Sequence, residues 1–131
     1  MDEDGCLLDV DYGDWQGLTL DEVREKYGAG TVESWRDDPG GFTFPGGESM
    51  ADVRDRLEEG LPRLADGPHL QVAAVTHMAV LKTCFLVLMG LPFEYFWKVG
   101  ISTGSVSCFS FIPGRGFTLE SWNVLPASSG S

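Results

Sequence analysis

The sequence predicts an α/β fold with a mostly parallel sheet and an antiparallel hairpin at its C-terminal end. Three observations carry that prediction. "HLQVAAVT" (69–76) is a continuous apolar run of strand length, the pattern of a strand covered on both faces. Helical periodicities lie on either side of it, giving the helix–strand–helix order of α/β domains. Near the end, "GSVSCFSFIPGRGFTLESWNV" holds two β-rich runs around a "PGRG" turn.

Taken in order, the chain opens on "MDEDGCLLDVDYGDWQG", which leaves almost no room for a complete strand. "TLDEVREKYG" places Thr19 three residues before Glu22, a capping-box spacing, with Leu20, Val23 and Tyr27 on one face and Gly28 as a stop. "DDPGGFTFPGGES" is a loop by its glycine and proline content, and Ser49 is positioned to cap the next helix. From there Met50, Val53, Leu57, Leu61 and Leu64 recur every three or four residues, predicting about four turns with one buried face. "MAVLKTCFLVLMG" reads as a mostly buried helix closed by Gly90 and Pro92. Residues 1–126 form a single domain on this reading, and 127–131 are a frayed tail, too small and polar to pack.

With 43% hydrophobic residues the chain can build a core. Twenty acidic against nine basic side chains give a formal charge of -11, which repels phosphate backbones and anionic lipid headgroups. Nucleic-acid and membrane partners are therefore not expected, and any phosphate contact must be local. Cys6, Cys84 and Cys108 are widely spaced and form no CxxC pair, which fits reduced thiols in a cytoplasmic protein. No signal-peptide pattern opens the chain.

His77 falls where the apolar run gives way to a helix. In a parallel α/β sheet that junction carries ligands, because the helix presents free N–H groups and the positive end of its dipole. A protonated His77 and the backbone N–H of Met78 could both donate to an anion there. In "LLDVDYGDWQGLT", Asp9 and Asp11 precede a glycine, an aromatic residue and another glycine. An apolar strand ending in Asp-x-Asp resembles the haloacid-dehalogenase phosphatase signature, with Asp9 as nucleophile. That family expects a full strand beforehand and a lysine ahead of an acidic pair. Here only "CLL" precedes, and Asp37-Asp38 comes before the candidate Lys82.

The succession "DVDYGDWQGLT", "FPGGESMADVRDR", "VAAVTHMAVLK" and "GLP" resembles the histidine phosphatase superfamily, the clan of cofactor-dependent phosphoglycerate mutases and their phosphatase relatives. Asp9 lies four residues before Gly13, Gln16-Gly17 ends the first segment, Gly47-Glu48-Ser49 with Arg56 matches the second, and His77 the third. The resemblance implies a three-layer phosphoglycerate mutase-like fold that lacks the first strand and helix. It also implies hydrolysis of a small phosphorylated metabolite through a phosphohistidine. His77 would bind the phosphate with Met78 N–H, Asp9 would protonate the departing oxygen, and neither cofactor nor metal would take part.

The departures bear on mechanism. No Arg-His-Gly occurs in the 131 residues, and the other histidine, His69, precedes the apolar run. Aspartate stands where glutamate is commoner, while Met78 and Ala79 stand where glycines are usual. The alternative is a non-catalytic, degenerate family member or pseudogene product. A sheet without its first strand leaves an unpaired edge, so self-association, poor solubility or partial molten character is expected.

Overall fold

Two capping boxes organise the first half of the chain. The Thr19 hydroxyl accepts from Glu22 N–H at 3.2 Å while the Glu22 carboxylate accepts from Thr19 N–H at 3.2 Å, and α1 runs Leu20–Tyr27. Ser49 and Asp52 repeat the arrangement at the head of α3, Met50–Ala65, which buries Met50, Val53, Leu57 and Gly60. Between them Gly28 ends α1 at a φ of 93° and also starts α2, Ala29–Asp37. The sequence reading left this second helix unassigned. It has no side-chain cap and only two buried residues, Val32 and Trp35, so its pattern is short and weak.

The computed structural model describes residues 5–67 and 72–126. Its core centres on Trp35, whose ring lies 5.1 Å from Phe44, 5.6 Å from Phe96 and 5.4 Å from Trp97. Phe42 and Trp15 close the same cluster. Edge and tilted aromatic packing of this kind adds to ordinary area burial. A short helical segment, Phe93–Lys98, brings Phe96 and Trp97 up to α4, which runs Met78–Met89 and ends on Gly90 in the left-handed region. Lys82 of α4 lies over both rings, 5.3 Å from Phe96 and 5.1 Å from Trp97, and burial lowers its pKa. It is thus a partly buried cation on aromatic faces.

β1, Val106–Ile112, and β2, Gly116–Val124, pair antiparallel through the predicted turn, with a register irregularity around Cys108. Trp122 fastens the hairpin to α4 by packing on Phe85 at 4.8 Å and donates its indole N–H to Gly100 O at 2.8 Å.

The mostly parallel sheet is not formed among the described residues, where the hairpin is the only sheet. Residues 72–76 carry strand-like side chains but make no ladder, and Val75 is 81% exposed. A strand exists only through its neighbour, so an apolar run without one remains unpaired chain. The first part of the expected strand, with His69 and Gln71, lies in 68–71, outside the described residues, as does the expected frayed tail 127–131. Cys6 and Cys84 are buried and Cys108 is exposed. Burial, with Cys6 close by, pushes the Cys84 thiol up to about 12.

Candidate active site

The Asp9 loop is fixed by a close crossing of two backbones. Glu48 N–H donates to Asp11 O at 2.9 Å, Asp14 N–H to Pro45 O at 2.8 Å, and Asp11 N–H to the Glu48 carboxylate at 3.0 Å. Gly13, with a φ of 54°, and Gly47 meet at that crossing, where a Cβ on either would collide with the other strand's backbone. The glycines of the two sequence motifs therefore have a shared steric cause.

Arg56 of α3 locks the same loop from below. Its Nε–H donates to Glu48 Oε2 at 3.0 Å, one terminal nitrogen donates to Gly5 O and Cys6 O, and the other to Asp9 O and Glu48 Oε1. These five acceptors match the five N–H donors of a guanidinium. Arg56 is consequently committed to holding residues 5–9 on α3 and has no donor left for an anion. Sequence reasoning placed Arg56 in the motif without seeing this role, and the eight-residue spacing to Glu48 was the available signal.

Asp9 and His77 come together. Asp9 Oδ1 accepts from Val10 N–H at 2.8 Å, and Asp9 Oδ2 lies 3.6 Å from His77 Nδ1. The imidazole is 62% exposed and the carboxylate 35%, so both are open to a ligand. The Thr76 hydroxyl donates to Leu7 O at 2.6 Å and draws the His77 backbone towards the Asp9 loop. His77 is the N-cap of α4 in an extended conformation, and its carbonyl accepts from Leu81 N–H at 2.8 Å. Met78 is the first helical residue, half exposed, and its N–H has no intrahelical acceptor. The two predicted catalytic side chains and the predicted N–H donor therefore share one corner of the molecule.

Tyr12 completes that corner. Burial first, then the Asp9 charge and a hydrogen bond to the Asp9 side chain, push its phenol from 10.0 up to about 12. The phenol therefore stays protonated and serves as a donor to the carboxylate. The sequence reading passed over Tyr12, which is three residues from Asp9.

A carboxylate, an imidazole and a helix N-terminus meeting in this way suit proton transfer and anion binding. A profile of the histidine phosphatase superfamily (branch 1) matches residues 1–125. The chain belongs to that superfamily. The chain is 30% identical over 115 residues to phosphoserine phosphatase 1 of Hydrogenobacter thermophilus, covering 87% of the chain and 54% of the relative. It is 39% identical over 110 residues to a 2,3-bisphosphoglycerate-dependent phosphoglycerate mutase of Chelativorans sp., covering 78% and 50%. Its fold matches Bacillus stearothermophilus YhfR with a TM-score of 0.84 at 25% identity, over 95% of this chain and 61% of that one. The chain thus spans about half the length of these curated relatives. Among the described residues no helix is long and apolar enough to cross a membrane, and no cluster of three or more His, Cys, Asp or Glu could hold a metal.

Proposed function

We propose that this chain carries the acid and phosphate-binding half of a histidine phosphatase site that hydrolyses small phosphomonoesters. Asp9 donates the proton to the departing alcohol oxygen, while His77 and the Met78 N–H hold the phosphoryl oxygens. The observation that carries this reading is the 3.6 Å approach of Asp9 to His77 at the head of α4. Phosphohistidine formation needs a second imidazole facing His77, and the sequence of this chain offers only His69 besides, with no Arg-His-Gly. The complete reaction therefore draws its nucleophile from outside these 131 residues. We favour hydrolysis over mutase chemistry. A mutase must shield its phosphohistidine from water, and the segment between Asp9 and Gly47 that would help to do so is short here.

The test uses the chain as it stands. Inorganic phosphate should shift the His77 ring and Met78 amide resonances, and His77→Ala should abolish the effect. Neither phosphohistidine nor appreciable hydrolysis of p-nitrophenyl phosphate is expected. Robust turnover that vanishes in His77→Ala would overturn the proposal, because the nucleophile would then lie within the chain.

The lack of Arg-His-Gly also favours a second reading, a non-catalytic relative with at most weak anion binding. In-frame Arg-His-Gly codons upstream of Met1 would support the phosphatase reading, and a stop codon there the non-catalytic one. Among the described residues the 72–76 run makes no ladder, with Val72 and Val75 exposed and no charged residue to guard it, so the 131-residue chain on its own is expected to pair with a second copy in solution.

A further inference from the structure

A concavity of about 330 Å³ lies beside the Asp9 corner, walled by Tyr12, Trp15, Leu18, Leu20, Trp35 and Phe44. Tyr12 joins the two places: its ring lines this cleft while its phenol is hydrogen-bonded to Asp9. No lining side chain carries a charge. Trp15, only 5% exposed, has an indole N–H that is buried without an acceptor among the described residues. Mostly apolar walls with Gln16 as a polar side chain among them are the composition of a small-molecule site.

We infer that this cleft receives the alcohol portion of the substrate, and that the preferred substrates are phosphomonoesters of aromatic or bulky apolar alcohols. The inference rests on Asp9 being the group that protonates the departing oxygen. With the ester oxygen at Asp9, the alcohol lies along Tyr12 and runs into the cleft. A carboxylate-bearing alcohol, such as that of 3-phosphoglycerate, would instead bring its charge against uncharged walls that offer no cation, at a large desolvation cost. The cleft thus selects by what it lacks as well as by what it packs.

The experiment titrates the isotopically labelled full chain with 4-methylumbelliferyl phosphate, 3-phosphoglycerate and inorganic phosphate, following the Trp15 indole and His77 ring resonances. Methylumbelliferyl phosphate should move both and bind on the order of tenfold more tightly than inorganic phosphate, while 3-phosphoglycerate gains nothing over it. Leu20→Arg, at a partly exposed position that opens α1, should weaken the aromatic ester and favour 3-phosphoglycerate. If the aromatic ester and inorganic phosphate bind alike and Trp15 does not move, the cleft assignment fails while the phosphate site stands. If no phosphate compound perturbs His77, the phosphatase reading itself fails and the cleft loses its role with it.

Discussion

Asp9 and His77 face each other across 3.6 Å, yet the backbones that carry them are held in opposite ways. The Asp9 loop is crossed by the Pro45–Gly47 backbone, bonded to Glu48, and gripped from α3 by all five donors of Arg56. The 72–77 run is attached, among the described residues, by the Thr76 hydroxyl and by its continuation into α4, and it leaves Val72 and Val75 in solvent. The Asp9 carboxylate is therefore preorganised by its own surroundings, while the His77 imidazole depends on a segment that makes no ladder among the described residues. One half of a site can be rigid without the other, because each takes its stability from different neighbours.

That contrast can be broken at its strongest point first. Gly13→Val puts a β-branched residue at a positive φ and into the Pro45 carbonyl and the Gly47 backbone, and should cost about 4 kcal/mol in urea unfolding followed by tryptophan fluorescence. A loss below about 1 kcal/mol would mean that the crossing is not a tight one. Arg56→Met should cost about 2–4 kcal/mol, since it strands the half-buried Glu48 carboxylate and frees three backbone carbonyls. Arg56→Lys should recover less than half of that, because an ammonium cannot reproduce the guanidinium fork. On the other side, Thr76→Val should cost only about 1 kcal/mol, and should speed hydrogen exchange around His77 while leaving Asp9–Asp11 unchanged. Equal acceleration at both places would show that the two backbones move as one. The smallest effect on stability, within about 0.5 kcal/mol, belongs to Val75→Lys. That variant should nonetheless reduce self-association in sedimentation velocity, and an unchanged sedimentation profile would remove 72–76 as the contact.

What could be read from the sequence follows the same division. Thr19 with Glu22 and Ser49 with Asp52 are local devices, and the helices they open fall where the spacing predicts. The hairpin turn is equally local, and so is the Gly90 stop. Asp9 and His77 could be paired only through the resemblance of the whole motif series, since nothing in 68 residues of separation specifies a contact. The run 69–76 has the side chains of a buried strand but cannot supply the neighbour that would bury it, so its described part, 72–76, stays outside any sheet. α2 was missed because it opens on Gly28 with no side-chain cap. Arg56 was legible as part of the Gly47-Glu48-Ser49 motif, but not as the clamp on the Asp9 loop. Its role depends on carbonyls of residues 5–9, some fifty positions away, and no periodicity reports that.

The exposed run at 72–76 also bears on how long such a chain would survive in a cell. Proteases bind their substrates through open backbone, and this stretch, outside any ladder among the described residues, offers exposed main chain and the small apolar side chains that suit many of them. A single cut there would leave Asp9 on one peptide and His77 on the other. A first nick would thus part the two side chains of the candidate site in the 131-residue chain while its aromatic cluster still held together.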